Sequence, residues 1–148
     1  MPLRCQIITQ DRKLFDSDVD IVIAPGSEGE MGILPNHAPI IAALSYGELI
    51  VRQGGVSEAF AIGGGVLQVA HNKVVVLADS AENAEEIDIA RAEEARQKAE
   101  RSMREGVAED EAQLAALEAA VKRASLRIKV ARKRRPERRR GPGAMDFE

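Results

Sequence analysis

The chain has 148 residues, with three Phe, one Tyr and no Trp, so any core must be built from Val, Ile, Leu and Ala. The net charge of −3 hides an asymmetry: residues 1–80 carry five basic and nine acidic groups, 82–118 five and twelve, and 122–140 eleven and one. One cysteine, Cys5, excludes an internal disulfide, and the longest apolar runs, such as Val74–Ala78, are too short to cross a bilayer.

These features favour a reducing compartment and a charged partner at the C-terminal end. Met1–Arg12 lacks a signal-peptide pattern, so membrane contact is expected only through another protein.

Residues 3–78 read as strands. Leu3, Cys5 and Ile7 alternate with Arg4 and Gln6, and Val19, Ile21 and Ile23 alternate with Asp18, Asp20 and Val22. Short strands follow at Ile40–Leu44, Glu48–Arg52, Ser57–Ile62, Val66–Ala70 and Val74–Ala78. Pro25-Gly26, Tyr46-Gly47, Gly54-Gly55, Gly63-Gly64-Gly65 and His71-Asn72 mark the separations. Many short, evenly spaced strands indicate a β-sandwich or flattened barrel.

After Ala78 the period changes. Glu85–Arg104 and Glu109–Lys133 lack proline and are rich in helix formers. Leu114, Leu117, Val121, Ala124, Ile128 and Ala131 make one apolar stripe, and Ala92, Ala95, Ala99 and Met103 a thinner one. Gly106 suits a tight reversal between them, giving an antiparallel hairpin. An alanine-lined seam buries little apolar area, so the hairpin is expected to detach and rearrange. Pro136 ends the second helix, and the basic stretch beyond it reads as a disordered tail.

The usual signatures of chemistry are missing. There is no GxxxxGK[ST] loop, and the glycine triplet sits between strands, where a bulge or turn explains it. His37, His71 and Cys5 share no metal-ligand spacing, and Cys5 in a strand reads as core. The segment Gly26–Pro39 reads GSEGEMGILPNHAP. It is either a plain connecting loop or a shaped contact surface with Glu28 and Glu30 near its tip.

That segment, with GELIV at Gly47–Val51 and FAIGGGVLQVAHNKVVVLADSAE at Phe60–Glu82, closely resembles the epsilon-chain family of F-type ATP synthases. The match runs from about Leu3 to Ala92 and continues with lower specificity through the hairpin. The resemblance implies an α+β fold: a ten-stranded β-sandwich over residues 1–84, a two-helix hairpin over 85–134, and a basic tail over 135–148. It implies a non-catalytic central-stalk subunit, peripheral on the cytoplasmic face of the cell membrane. Its implied partners are the gamma subunit, the c-ring, and the beta and alpha subunits. The family couples head to ring during ATP synthesis driven by protons or sodium ions, and restrains ATP hydrolysis. The implied ring contact is Glu28, Gly29, Glu30 and Met31, with His37 nearby.

No cofactor is required, and regulatory ATP is the one candidate ligand. Some relatives bind ATP through a pattern of Ile or Leu, Asp, two residues, Arg, Ala, which here is Ile87, Asp88, Ile89, Ala90, Arg91, Ala92. Arg91, with Arg123 and Arg127 on the second helix, would pair with phosphate oxygens. The plain alternative makes Asp88 a helix N-cap and Arg91 a surface residue. In the family the hairpin opens and its second helix meets an acidic segment of the beta subunit. Lys122, Arg123, Arg127, Lys129, Arg132, Lys133, Arg134 and Arg135 supply the cations here.

Two rival readings remain. One is a nucleic-acid-binding protein using the basic tail, against which stand the acidic N-terminal half and the scarcity of aromatics, so no nucleic-acid partner is expected. The other is a stand-alone enzyme, against which stands the lack of any convergent cluster of catalytic side chains.

Overall fold

The computed structural model describes residues 2–133, which fall into two units divided between Asn83 and Ala84. The first unit is one continuous sheet. Its strands are β1 (Leu3–Ile8), β2 (Lys13–Val19), β3 (Ile21–Gly26), β4 (Gly29–Ile33), β5 (Ile40–Gln53), β6 (Val56–Ala70), β7 (Lys73–Ala78) and β8 (Ala81–Asn83). The spatial order is β2-β1-β7-β6-β5-β3-β4, with β8 paired to β6. Only the β1–β7 pairing is parallel.

The sheet folds back on itself as a sandwich. Phe15 of edge strand β2 meets Phe60 of β6 edge to face, with ring centroids 5.7 Å apart. Leu3, Cys5 and Ile7 are fully buried, as their alternation predicts, and join Val22, Leu49, Ile62, Leu67, Val74 and Val76 in the core. Burial pushes the Cys5 thiol up to about 12, the state of an inert core cysteine.

Eight strands, not ten, form the sheet, because β5 and β6 run 14 and 15 residues without a turn. Tyr46-Gly47 and the glycine triplet therefore do not end strands. Instead the ladder lapses between Ser45 and Gly64, and the buried positions change parity there: Leu44 then Leu49 and Val51 on β5, Phe60 and Ile62 then Leu67 and Val69 on β6. Dividing each long strand at this lapse recovers the ten-strand count. Glycine is needed at the kink: Gly64 and Gly65 have φ of +92° and +140°. A Cβ on Gly65 would lie 2.3 Å from the Leu77 carbonyl oxygen. Ser80 O and the Asp79 N–H take up the backbone groups of Gly63 and Gly64 at 2.8 and 2.9 Å.

Three further expectations need correction. Val19, Ile21 and Ile23 do not share one strand, because the chain bends at Asp20, whose N–H donates to Arg52 O at 2.6 Å. Alternation restarts after the bend, so Val22 and Ala24 are buried while Ile21 and Ile23 are half-buried. Five residues of the segment read as a loop are strand β4, joined to β3 by a two-residue turn, Ser27-Glu28. Strand β8 lies beyond the predicted strand region. The reversals at Gly54-Gly55 and His71-Asn72 form as expected, both residues of each at positive φ.

On the outer face of β1 and β2, Asp16 accepts from Arg4 Nε at 2.7 Å and Lys13 Nζ at 3.1 Å. The hydrogen bond from Arg4, then that from Lys13, lowers the Asp16 carboxyl to about 2. A depressed folded pKa means that this contribution to stability is present above the ordinary value of 3.8 and disappears as pH falls through about 2. Carboxyl NMR titration should place the Asp16 midpoint near 2, and Arg4→Ala should move it up toward the ordinary carboxylate range. An unmoved midpoint in that variant would remove Arg4 as the cause.

In the second unit a short 3-10 turn, Ala84–Glu86, precedes α1 (Ile89–Arg104) and α2 (Glu111–Lys133). α1 starts later than the composition suggested, because Asp88 caps it: its side chain accepts from the Arg91 N–H at 3.1 Å. α1 ends at Gly106, at φ +66°, where Gly106 and Val107 N–H groups bond back to Met103 O and Ser102 O. Asp110 caps α2 through the Gln113 N–H at 2.8 Å, while Gln113 reaches back to the Glu109 N–H at 2.7 Å.

The seam is narrower than the sequence stripes. α1 buries Ala92 and Ala99, whereas Ala95 is exposed. At about 100° per residue, Ala95 lies roughly 60° off the line through Ala92, Ala99 and Met103. On α2 burial gathers at Ala124, Ile128, Val130 and Ala131, while Leu114 remains 40% exposed. α1, with 16 residues against 23, is too short to cover α2 along its whole length.

Candidate functional site

The β3–β4 hairpin is a tight, built feature. Gly26 faces Gly29 across the Ser27-Glu28 turn, and Pro25 faces Glu30. Its tip is tied to β5: the Ser27 N–H donates to Ala43 O at 2.9 Å, and Ser45 Oγ donates to Pro25 O at 3.3 Å. Glu28 and Glu30 are therefore exposed carboxylates on an ordered hairpin, not on a slack loop. Met31 is half-buried and packs against the core.

A groove of about 510 Å³ runs between this hairpin and β5, lined by residues 26–31 and by Ile40, Ile41, Ala42 and Ala43. Ile41 is 72% exposed beside the two carboxylates, an arrangement that offers apolar area and negative charge together. The groove thus joins Glu28, Gly29, Glu30 and Met31. His37 does not line it: it closes the adjoining turn Leu34–His37, where its N–H donates to Leu34 O at 3.1 Å. Leu34 on the same turn is 56% exposed. Sequence reasoning missed Ile40 and Ile41 as surface residues, since an apolar pair in a strand reads as core.

The second candidate constellation lies in the helical unit. Ile87 and Ala92 are buried, while Asp88 and Arg91 are exposed at the first turn of α1. Asp88 Oδ1 is used for capping. Arg123 is exposed and Arg127 half-buried on α2. Asp88→Ala should cost the helical unit about 1 kcal/mol through loss of the cap. Thermal melts of the full chain would read this, and an unchanged melt would mean the cap contributes nothing.

Of the basic group on α2, Lys122, Arg123 and Lys129 are exposed, as are Arg132 and Lys133. Arg132 Nη2 pairs with Glu93 Oε2 at 3.3 Å across the two helices, and Glu93 also accepts from Arg96 Nη2 at 2.6 Å. Arg134, Arg135 and the basic tail lie outside the described residues. Among the described residues no three His, Cys, Asp or Glu side chains gather as a metal site, and no helix is long and apolar enough to cross a membrane.

Comparison with known proteins places both units. Residues 2–84 match the family "ATP synthase, Delta/Epsilon chain, beta-sandwich domain", and 85–132 match "ATP synthase, Delta/Epsilon chain, long alpha-helix domain". An ATP synthase epsilon chain of Dehalococcoides mccartyi is 52% identical over 134 residues, covering 90% of this chain and 94% of that one. One from Herpetosiphon aurantiacus is 45% identical, covering 91% and 98%. A chain in the cryo-EM structure of Euglena gracilis mitochondrial ATP synthase, comprising OSCP, F1 and c-ring, superposes with a TM-score of 0.70 at 26% identity, covering 84% of this chain and 78% of that one. A chain in the Tetrahymena thermophila mitochondrial central stalk and c-ring structure shares the fold at TM-score 0.62 and 16% identity, covering 88% and 97%.

Proposed function

This chain belongs to the ATP synthase epsilon chain family, and from that premise we propose that it is the non-catalytic central-stalk subunit that joins the rotor shaft to the membrane ring. Residues 1–84 serve as the anchor for the gamma subunit and the c-ring, and 85–134 as a regulatory hairpin directed at the alpha and beta subunits. The observation that carries the anchor role is the ordered β3–β4 hairpin, which sets Glu28 and Glu30 beside the exposed Ile41. A surface that is both apolar and acidic suits a rim of basic or polar ring loops. Membrane association is then peripheral, through the complex and on its cytoplasmic side. The relatives lend no support to the nucleic-acid reading.

Reconstitution tests the proposal. The full chain, added to ATP synthase stripped of its own epsilon chain, should co-purify with gamma and restore ion-coupled ATP synthesis. Failure to co-purify would overturn the reading.

Regulatory ATP is the finer part of the proposal. Asp88 and Arg91 at the start of α1, with Arg123 and Arg127 on α2, supply an acceptor for an amino group and cations for phosphates. Isothermal titration of the full chain with magnesium ATP should show heat that Arg91→Ala removes. No heat at millimolar nucleotide would remove ATP from the account and leave Asp88 as a cap alone.

A further inference from the structure

Asn36 and Asn72 lie 36 residues apart in two different turns, yet each meets the other's amide. In the turn Leu34–His37, Pro35 takes the second position and Asn36, at φ +69°, the third, the pattern of a type II turn. Asn72, at φ +58°, sits in the His71-Asn72 reversal between β6 and β7. The Asn36 N–H donates to Asn72 Oδ1 at 2.5 Å, and Asn72 Nδ2 donates to Asn36 Oδ1 at 3.2 Å. The Asn72 carbonyl in turn accepts from the Arg4 N–H of β1 at 2.9 Å, so the clasp is fixed to the sheet. Residues 34–39 belong to no strand, and these two bonds join their turn to the ordered core.

We infer that Asn72 is a positioning residue for the ring-contact surface: its amide holds the Leu34–His37 turn so that Leu34 and His37 are presented in one arrangement. This rests on reading Glu28–Met31 and His37 as the ring contact. Ordering the turn before binding removes a cost that a slack turn would meet on contact. Asparagine suits both positions because it tolerates the left-handed backbone and its short amide reaches back to nearby main chain.

Glycine variants separate the amide from the backbone, since glycine accepts positive φ. Full-length N72G, N36G, N72D and H71G would be bound to membranes carrying epsilon-depleted ATP synthase, beside E30K and H37A. N72G removes both bonds and should weaken binding about three- to tenfold. N36G removes only the Nδ2 to Oδ1 bond and should show a smaller loss, whereas N72D removes the same bond and also sets a charged oxygen against Asn36 Oδ1, so its loss should exceed that of N36G. H71G, with the same change of backbone freedom (His71 φ +52°) but no clasp, should bind normally. Hydrogen exchange at the His37 amide, donor to Leu34 O, should quicken in N72G and not in H71G.

Unchanged His37 exchange in N72G overturns the clasp whatever the ring contact is. Loss of binding by E30K and H37A but not by N72G overturns the positioning role alone. Normal binding by all three overturns the ring reading and the role with it. A binding loss in N72G matched by an equal loss in H71G assigns the effect to the hairpin turn and overturns the proposal.

Discussion

Truncation after Ala108 should raise ATP hydrolysis by the assembled enzyme about tenfold while leaving assembly and membrane retention intact. The removed segment carries the basic side chains of α2, most of them exposed. A single exposed ion pair is worth only about 0.2–1 kcal/mol, but several acting on a two-state hairpin reach the roughly 1.4 kcal/mol that a tenfold shift requires. The buried apolar set of the two helices is small: Ala92 and Ala99 on α1, and Ala124, Ile128, Val130 and Ala131 on α2. Arg132 is held by Glu93 at 3.3 Å in the folded hairpin, so pairing Arg132 with the head first breaks that contact. If Arg132 is one of the cations that meet the head, as proposed, Glu93 competes for it in the folded hairpin. Glu93→Gln should shift the hairpin toward opening and deepen inhibition about twofold. Raised salt should relieve inhibition in the wild type. The measurement is steady-state hydrolysis by membranes of matched subunit content. An unchanged rate in the truncated complex would end the account of α2 as an inhibitor.

The second large effect is expected at the proposed ring contact. Reversing both tip charges, Glu28→Lys with Glu30→Lys, should weaken retention on the membrane complex at least about tenfold, since two attractions become two repulsions. Both side chains are exposed and neither is part of the core, so the melting temperature should hold. Sedimentation of washed membranes reads retention, and ATP-driven proton pumping reads coupling. Normal retention together with normal pumping would show that the ring contacts another surface.

Local pattern determined a large part of this protein. Leu3, Cys5 and Ile7 alternate and are buried because a strand on a one-sided core has a period of two. Gly54-Gly55 and His71-Asn72 turn because their residue types accept positive φ. Gly106 ends α1 for the same reason. The family, and with it the sandwich and hairpin, was legible in runs such as GSEGEMGILPNHAP and FAIGGGVLQVAHNK.

Tertiary structure decided what nearest neighbours cannot encode. Tyr46-Gly47 carries a turn signal, yet its partners across the ladder, Gly63 and Ile62, keep β5 extended. Ile41 reads as core and is surface, because burial depends on which strands stack over it. Ala95 and Leu114 fit their stripes and stay exposed, because the width and length of a seam are set by the facing helix. Asn36 and Asn72 are unremarkable turn residues in sequence, and it is the antiparallel β5–β6 pairing, setting Ile40 opposite Val69, that brings their two turns together. Periodicity fixes what a residue can do alone, and long-range pairing fixes what it meets.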